Sequence, residues 1–246
     1  MSQLWVINSK AEKVRRDVWR MLVVNMIVFF GVGCFCISFN GIGFILCLLF
    51  GVVLFFVFRS LIIGFQKNVE HLFLTLGKGI FEDIRFDVDE GVDSCVLEKS
   101  RKLGNFVERE TFNTIIGKRY LATEELLYNL LGHKESLKKV MFEGIILKID
   151  AKGKEIDGMI DISNGRKIFR GNIGEEFRKK IILLMKILGV MECIIETIDD
   201  SVFISMSGGK LYYQFSIFKK VDINKNVSRI KLFDEAVGAL VDEILL

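Results

Sequence analysis

The stretch with the clearest chemical suggestion is Ser207-Gly208-Gly209-Lys210, which has the glycines and the lysine of a phosphate-binding loop. A Walker loop needs the pattern G-x-x-x-x-G-K-[ST] between a strand and a helix, because backbone amides and the lysine together surround the phosphates. Here Leu211 follows the lysine, and residues typical of strands flank the stretch on both sides. The pattern therefore predicts a hairpin turn rather than a nucleotide site.

Four carboxylates cluster around Gly91: Asp87, Asp89, Glu90 and Asp93. Oxygen ligands at this density could bind calcium, and an EF-hand loop has an invariant glycine at its sixth position. With Gly91 in that place, ligands would be required at positions 86, 88 and 90, where the chain has phenylalanine, valine and glutamate. The spacing does not fit, and we interpret this segment as a solvated turn.

Cysteine and histidine give no recognisable site. Cys34 and Cys36 form a C-x-C pair inside an apolar run, with no histidine or acid beside them to complete a zinc site. His71 and His133 are far apart and stand near no motif. Catalytic triads assemble from distant positions, so spacing alone cannot identify one. The sequence predicts no catalytic residue, no cofactor and no metal.

The elements that must position any site begin with a run from Met21 to Phe58 that carries no charge. A single helix of this length would measure roughly 57 Å, about twice the hydrocarbon thickness of a bilayer. Asn40-Gly41 favours a tight turn, so residues 21–65 are predicted to form a hairpin of two transmembrane helices. Two buried helices of a soluble core are the competing interpretation, which uncharged runs of this length disfavour.

Lysine and arginine beside the spans predict the orientation. Five basic residues precede the first span (Lys10, Lys13, Arg15, Arg16 and Arg20), and Arg59 and Lys67 follow the second. Both termini are therefore predicted in the cytoplasm, in a multi-pass membrane protein. Residues 1–20 form a basic leader, and both an amphipathic interfacial helix and a frayed segment fit their composition.

Charge outside the anchor is nearly balanced. Of the 34 basic and 31 acidic residues, seven basic and two acidic ones lie in residues 1–67, which leaves 27 and 29 in the remainder. Nucleic-acid binding normally requires a basic face, so the composition argues against that partner. The five cysteines do not form a disulfide framework, and the chain has no proline.

Residues 66–246 predict a cytoplasmic α+β domain with an antiparallel sheet and amphipathic helices. The predicted strands are at about 117–130, 140–149, 157–163, 193–198, 202–206 and 211–218. A helix at 173–188 has apolar residues at helical spacing, with a capping box from Asn172 and Glu175 and an end at Gly189. Helical composition at 93–107, a turn at 132–135 and a final helix of about 17 residues capped by Ser228 complete the prediction.

Eight basic residues are candidates for facing lipid headgroups: Arg15, Arg16, Arg20, Arg59, Lys67, Arg178, Lys179 and Lys180. The first five flank the predicted spans, where anionic lipids attract basic side chains. The last three give the 173–188 helix a basic face, for which a simple solvated surface is the competing interpretation.

Four stretches, in this order, carry a family likeness: GKRYLATEELLY (117–128), MFEGIILKIDAKGKEIDGMIDISNG (141–165), GGKLYYQFSIFKK (208–220) and the closing IKLFDEAVGALVDEILL (230–246). They resemble a bacterial membrane protein family known as a domain of unknown function, DUF thirty-one thirty-seven. The resemblance implies two N-terminal spans and a cytoplasmic α+β domain, but no activity. The chain departs from the family at Ser216, where members usually have proline, and it is shorter between Gly165 and Gly171.

The leading hypothesis is a membrane-anchored, non-enzymatic binding or scaffold module of unknown ligand. Its expected partners are the lipid bilayer, another membrane or cytosolic protein, or a second copy of the chain. An enzyme acting on a membrane-proximal substrate is one alternative, which a cleft gathering Asp199, Asp200, Glu124, Glu125 or His133 would favour. A self-associating membrane assembly is another, because Gly31, Gly33, Gly43 and Gly51 could permit close helix contact.

Overall fold

The computed structural model describes residues 3–37, 40–77, 80–81, 83–87, 91–130, 138–151, 153–163, 166–211 and 215–245. The chain forms two compact units. The first, the hairpin unit, comprises Met1–Ile80 and Gln214–Lys225, and the second, the sheet unit, comprises Phe81–Tyr213 and Asn226–Leu246. The predicted turn at 132–135, with His133, lies outside the described residues, as do Asp89 and Glu90.

Two long helices, α1 (Gln3–Ile37) and α2 (Asn40–Gly77), build the hairpin unit. Only residues 38 and 39 separate them, and the Phe29 and Phe50 rings stack with centroids 6.2 Å apart, so the helices run antiparallel. The basic leader is continuous with α1 from Gln3, which confirms its helical interpretation and excludes a frayed one.

Eight antiparallel strands form the single sheet of the second unit, in the order β1-β2-β3-β4-β8-β7-β5-β6. The strands are β1 (Arg85–Asp87), β2 (Glu108–Ile116), β3 (Tyr120–Leu130), β4 (Lys138–Asp150), β5 (Gly158–Ser163), β6 (Arg166–Gly171), β7 (Glu192–Ile198) and β8 (Ser201–Ser207). The predicted α+β class and antiparallel sheet are therefore confirmed. Adjacent β4 and β5 do not pair, because the β7–β8 hairpin lies between them.

Helices and loops cover both faces of the sheet. The remaining helices are α3 (Ser94–Leu97), α4 (Glu175–Leu188) and α5 (Ile223–Leu245). On one face the Tyr120 ring of β3 contacts Phe233 of α5, edge to face at 6.1 Å. On the other, residues 92–103 pack on the sheet in one apolar cluster: Val92, Leu97, Leu103, Leu127, Phe142, Ile146, Ile198 and Phe203.

Helix α4 bears out the predicted apolar face, since Phe177, Ile181, Leu184, Met185 and Leu188 are all buried. Gly189 ends it in the left-handed conformation, as expected from its place after the last apolar position. The predicted capping box is wrong. Gly174, not Asn172, is the N-cap residue, and a glycine has no side chain with which to cap the helix.

Helix α5 likewise buries one apolar face, which consists of Ile230, Phe233, Val237, Leu240, Val241 and Ile244. Its predicted start at Ser228 is wrong, because the helix begins five residues earlier at Ile223. There the side-chain oxygen of Asn8 on α1 accepts a hydrogen bond from the Ile223 amide at 2.9 Å. A residue some two hundred positions away thus satisfies a free amide of the helix start, which no local pattern could indicate.

Other differences between the predicted and the observed elements arise where side-chain hydrogen bonds or strand pairing override the local propensity of the sequence. The predicted helix over 93–107 is reduced to α3, because the Ser100 hydroxyl accepts the Lys102 and Leu103 amides and favours a turn. Strands β2 and β6 were not predicted, since their polar sequences become strands only by pairing with β3 and β5. The strand predicted over 211–218 is not formed in its described residues, so the expected hairpin turn at 207–210 is wrong as well.

Candidate membrane-anchoring site

Large apolar side chains cover the outer surface of the hairpin unit between Met21 and Ile63. The exposed fractions of Ile27, Phe30 and Phe56 are 66%, 62% and 59%. Other exposed members are Met21, Val23, Val24, Met26, Val28, Ile45, Leu48, Leu49, Val52, Val53, Phe55, Val57 and Ile63. We call this set the apolar surface. Soluble monomers rarely expose a contiguous apolar patch of this extent, so the surface indicates contact with something other than water.

One helical stretch among the described residues, Leu48–Phe73 of α2, is long and apolar enough to cross a membrane by length and composition. Only 11% of an 18-residue apolar window in that stretch is buried, whereas the core helix of a soluble protein is mostly buried. The predicted pair of spans is not established by this result, because α1 does not qualify over its described residues.

Next to the apolar surface, the same two helices have a region with buried side chains. We call this region the base, and it comprises residues 7–11 of α1 and 65–73 of α2. Ile7 and Ala11 of α1 and Phe65, Val69 and Phe73 of α2 are buried. The segment 215–223, which we call the strap, supplies four more buried residues: Phe215, Ile217, Val221 and Ile223. The Phe73 and Phe215 rings meet edge to face at 6.1 Å. Side chains of similar apolarity are therefore covered by protein at one end of the hairpin and uncovered along the rest.

Polar contacts fasten the strap to α1. Arg15 donates to Glu12 at 2.6 to 3.0 Å and to the Ile217 carbonyl at 3.2 Å. Glu12 also accepts the Val221 amide at 3.2 Å. The hydrogen bond from Arg15, more than any other contact, lowers the pKa of the Glu12 carboxyl, so Glu12 is charged at neutral pH. We call this arrangement the clasp, and it engages Arg15 within the protein.

The other basic candidates of the hairpin unit are exposed: Arg16, Arg20, Arg59 and Lys67. Arg20 has a weak partner in Asp17, at 3.9 Å. Arg20 and Arg59 each lie nine residues from the stacked Phe29–Phe50 pair, in helices of equal rise and opposite direction. The two arginines therefore lie at about the same level along the hairpin, at one end of the apolar surface.

The basic candidates of α4 all have partners in the sheet unit. Arg178 lies over the Phe169 ring, 4.6 Å from its centroid, and donates to the Ile173 carbonyl at 2.7 Å. Lys179 pairs with Glu175 and Glu176, and Lys180 pairs with Glu243 of α5 at 2.6 Å. Most of this basic charge is balanced locally, which favours the solvated-surface interpretation of α4.

The sheet unit buries a charged pair that its sequence pattern did not reveal. Glu125 of β3 has no exposed side-chain surface and accepts two hydrogen bonds from the Arg109 guanidinium, at 2.7 and 2.8 Å. The Thr111 and Thr123 hydroxyls donate to the same carboxylate at 3.0 and 2.7 Å. Arg109 also donates to the Val92 carbonyl at 2.5 Å, which ties the covering loop to the sheet. This arrangement is a structural network that holds the covering loop on the sheet.

Glu124 lies on the opposite face of β3, since neighbouring side chains alternate along a strand. It is buried and accepts hydrogen bonds from the Asn113 side chain at 2.9 Å and the Leu211 amide at 2.5 Å. Glu124 and Glu125 therefore do not converge on one cleft. The signal available in the sequence was a pair of adjacent acids inside an apolar strand.

Asp199 and Asp200 do line a cleft, of about 370 Å³, with Arg101, Glu155, Asp157 and Thr197. Both aspartates have positive φ angles, 46° and 60°, in the turn between β7 and β8. Asp199 pairs with Lys99, and Asp157 accepts the Thr197 amide at 2.9 Å. Two of the four carboxylates are thus engaged in holding loops together.

A second cleft, of about 480 Å³, lies beside α5 and is lined by Tyr120, Lys118, Asp83, Asp234 and Asp242 among others. The Tyr120 hydroxyl donates to Asp234 at 2.7 Å, and Lys118 pairs with Asp83 at 2.8 Å. Burial, followed by the hydrogen bond to Asp234, raises the pKa of Tyr120, so the phenol stays protonated. The phenol is therefore a poor general base.

The described part of the chain has neither a recognisable metal site nor an activated thiol. No group of three or more histidine, cysteine or acidic side chains there could hold a metal ion. Asp93, one of the predicted turn carboxylates, caps α3 by accepting the Cys95 amide at 3.0 Å. Burial raises the pKa of the Cys193 thiol, which disfavours the reactive thiolate.

Comparisons with protein-family models, curated proteins and solved structures find no match to this chain.

Proposed function

We propose that this protein is a membrane-anchored, non-enzymatic binding or scaffold module. In this proposal α1 and α2 cross the bacterial inner membrane as a hairpin, and both termini lie in the cytoplasm. The proposal keeps the resemblance to the two-span family DUF thirty-one thirty-seven. The observation that carries it is the apolar surface, because water is a poor solvent for so many uncovered side chains.

Length and charge support the two-span version. Residues 21–37 of α1 span roughly 25 Å and residues 40–58 of α2 roughly 28 Å, close to the ~30 Å of bilayer hydrocarbon. Arg20 and Arg59 lie together at one end of this length, and no charged residue lies between Met21 and Phe58. Basic residues on one side only are the pattern of helices whose flanks stay in the cytoplasm.

An extraction experiment tests the anchor. Membranes from cells that produce the full chain are washed at alkaline pH, which removes peripheral proteins, and then treated with detergent. The proposal expects the chain in the pellet until detergent is added, and a C-terminal tag resistant to protease in intact cells. A chain that leaves the membrane in alkaline wash, or a tag cleaved from outside, would refute it.

The cleft that holds Asp199 and Asp200 favours an enzyme as the second candidate, because converging polar groups are typical of active sites. It is the weaker candidate, since Asp157 and Asp199 are engaged in loop contacts. Replacing Asp200, whose side chain makes no hydrogen bond or ion pair with another described residue, by asparagine tests the two alternatives. An enzyme using this cleft would lose function in cells, whereas a binding module using another surface would keep it.

A further inference from the structure

The strap exposes one large apolar side chain at the end of the apolar surface. Phe218 is 70% exposed, although Phe215 and Ile217 before it and Val221 after it are buried. The Ser216 hydroxyl accepts the Phe218 amide at 3.3 Å, and the Ser216 carbonyl accepts the Lys219 amide at 3.3 Å. A hydrogen-bonded turn, fixed to α1 by the clasp on either side, therefore holds Phe218 outward.

Within the described part of the chain, the aromatic ring beside Phe218 is that of Trp19 of α1, which is itself 43% exposed. The rings meet edge to face with centroids 5.9 Å apart. Trp19 precedes Met21, where the apolar surface begins, by two residues, or about 3 Å of helix rise. The pair therefore lies at the level where hydrocarbon would give way to headgroups, the depth that tryptophan prefers.

Exposed cations surround the two rings. Lys219 and Lys220 follow Phe218 in the strap, and Arg16 and Arg20 stand three residues before and one after Trp19. Two exposed acids lie near these cations, Asp17 at 3.9 Å from Arg20 and Asp222 two residues after Lys220, and the Glu12 charge is taken by Arg15. The local balance is positive, in contrast to the paired lysines of α4.

We infer that Trp19, Phe218, Arg16, Arg20, Lys219 and Lys220 form a binding surface for anionic phospholipid headgroups. The rings enter the interface and the cations contact lipid phosphates, which fastens the strap as well as α1 to the membrane. This inference rests on the proposed anchor and extends it to a segment some two hundred residues away in sequence. Continuity with the apolar surface favours lipid over an acidic protein, and like charge opposes a second copy of the same surface.

The test uses the full chain reconstituted in nanodiscs of phosphatidylcholine mixed with a minor fraction of phosphatidylglycerol. Lipids retained after detergent exchange are quantified by mass spectrometry. We expect enrichment of phosphatidylglycerol that falls roughly thirtyfold in a Lys219→Ala/Lys220→Ala variant. The expected fold-change follows because each of the two lysines contributes about 1 kcal/mol of headgroup binding, and every 1.4 kcal/mol changes an equilibrium constant about tenfold. The matched control is Lys10→Ala/Lys13→Ala, which removes two exposed lysines of α1 that lie eight or more residues before Met21 and should preserve the enrichment.

Flotation with pure phosphatidylcholine vesicles separates this inference from the anchor. Wild type and variants should float equally, because the apolar surface is unchanged. A chain that floats but shows equal enrichment of both lipids would overturn the headgroup surface and leave the anchor intact, and an acidic protein partner would give that same result. A loss of enrichment in the control as large as in the strap variant would also overturn it.

Discussion

Helices α2 and α5 are both long and rich in apolar residues, yet they present opposite surfaces. Val237 and Phe233 of α5 are fully buried in the sheet unit, whereas Val53 and Phe56 of α2 are more than half exposed. Burying such a side chain is worth about 1.5–3 kcal/mol relative to leaving it in water. Apolar content alone therefore does not identify a core helix, because what covers the helix decides its role.

The largest effect is expected in α5. A lysine at Val237 would place a charge in a closed apolar interior, which should cost the sheet unit more than about 4 kcal/mol of unfolding free energy. The measurement is denaturant unfolding of the purified chain in detergent, followed by the reactivity of the buried Cys193 thiol. Leu232→Lys, on the half-exposed side of the same helix, should change stability by less than about 0.5 kcal/mol. Equal midpoints for the two variants would contradict the burial of Val237.

The buried pair of Glu125 and Arg109 shows that the sheet unit accepts a buried charge where an opposite charge accompanies it. Replacing Glu125 by alanine leaves Arg109 without its carboxylate, which should cost about 3–5 kcal/mol. Glu110→Ala, at an exposed position of the neighbouring strand, is the control and should stay within about 0.5 kcal/mol. The same unfolding assay applies, and a wild-type midpoint for the Glu125 variant would show that the pair is not needed.

Replacing Val53 of α2 by lysine tests whether hydrocarbon or water surrounds this position. If hydrocarbon surrounds this position, the charge should cost about 3 kcal/mol and shift membrane insertion of the helix roughly 100-fold. If water surrounds it, the same change should be neutral. Insertion is measured by glycosylation of an acceptor site placed between α1 and α2 in a microsomal system. Asn68→Lys, exposed on the base of the same helix, should insert like wild type.

A smaller effect is expected at the clasp. Glu12→Gln removes the ion pair with Arg15 and should weaken the attachment of the strap by about 1 kcal/mol. Limited proteolysis within residues 215–223 should therefore become roughly fivefold faster. Asp17→Asn removes only a long, exposed contact and should leave the rate unchanged. Identical rates for both variants would show that the clasp does not hold the strap.

The smallest effect is the pH dependence of the same attachment. The pKa of Glu12 is lowered in the folded protein, so its stabilisation is full above the ordinary value of 4.5 and is lost as the pH falls through the folded value. Proteolysis of the strap by an acid-active protease should accelerate below about pH 4.5 in wild type. In Glu12→Gln the rate should already be high and should vary less over this range. A wild-type rate independent of pH would refute the role of the carboxylate.

The sequence predicted those features that depend on neighbours in the chain. The apolar face of α4, its end at Gly189 and the strand pair around Asp199-Asp200 follow from spacing and turn chemistry. Strand β6 and the start of α5 could not be predicted, because β5 and Asn8 stabilise them from distant positions. The basic leader indicated an interfacial surface, but the strap that completes it lies at the other end of the sequence.

The central claim is that lipid covers the apolar surface, and fluorescence quenching tests it most directly. In a background with Trp5 and Trp19 changed to phenylalanine, a single tryptophan replaces Val53, or Asn68 on the base as the reference. Vesicles with lipids brominated deep in the acyl chains should quench the tryptophan at position 53 strongly and that at 68 hardly at all. Equal quenching at the two positions, or none at position 53, would contradict the account.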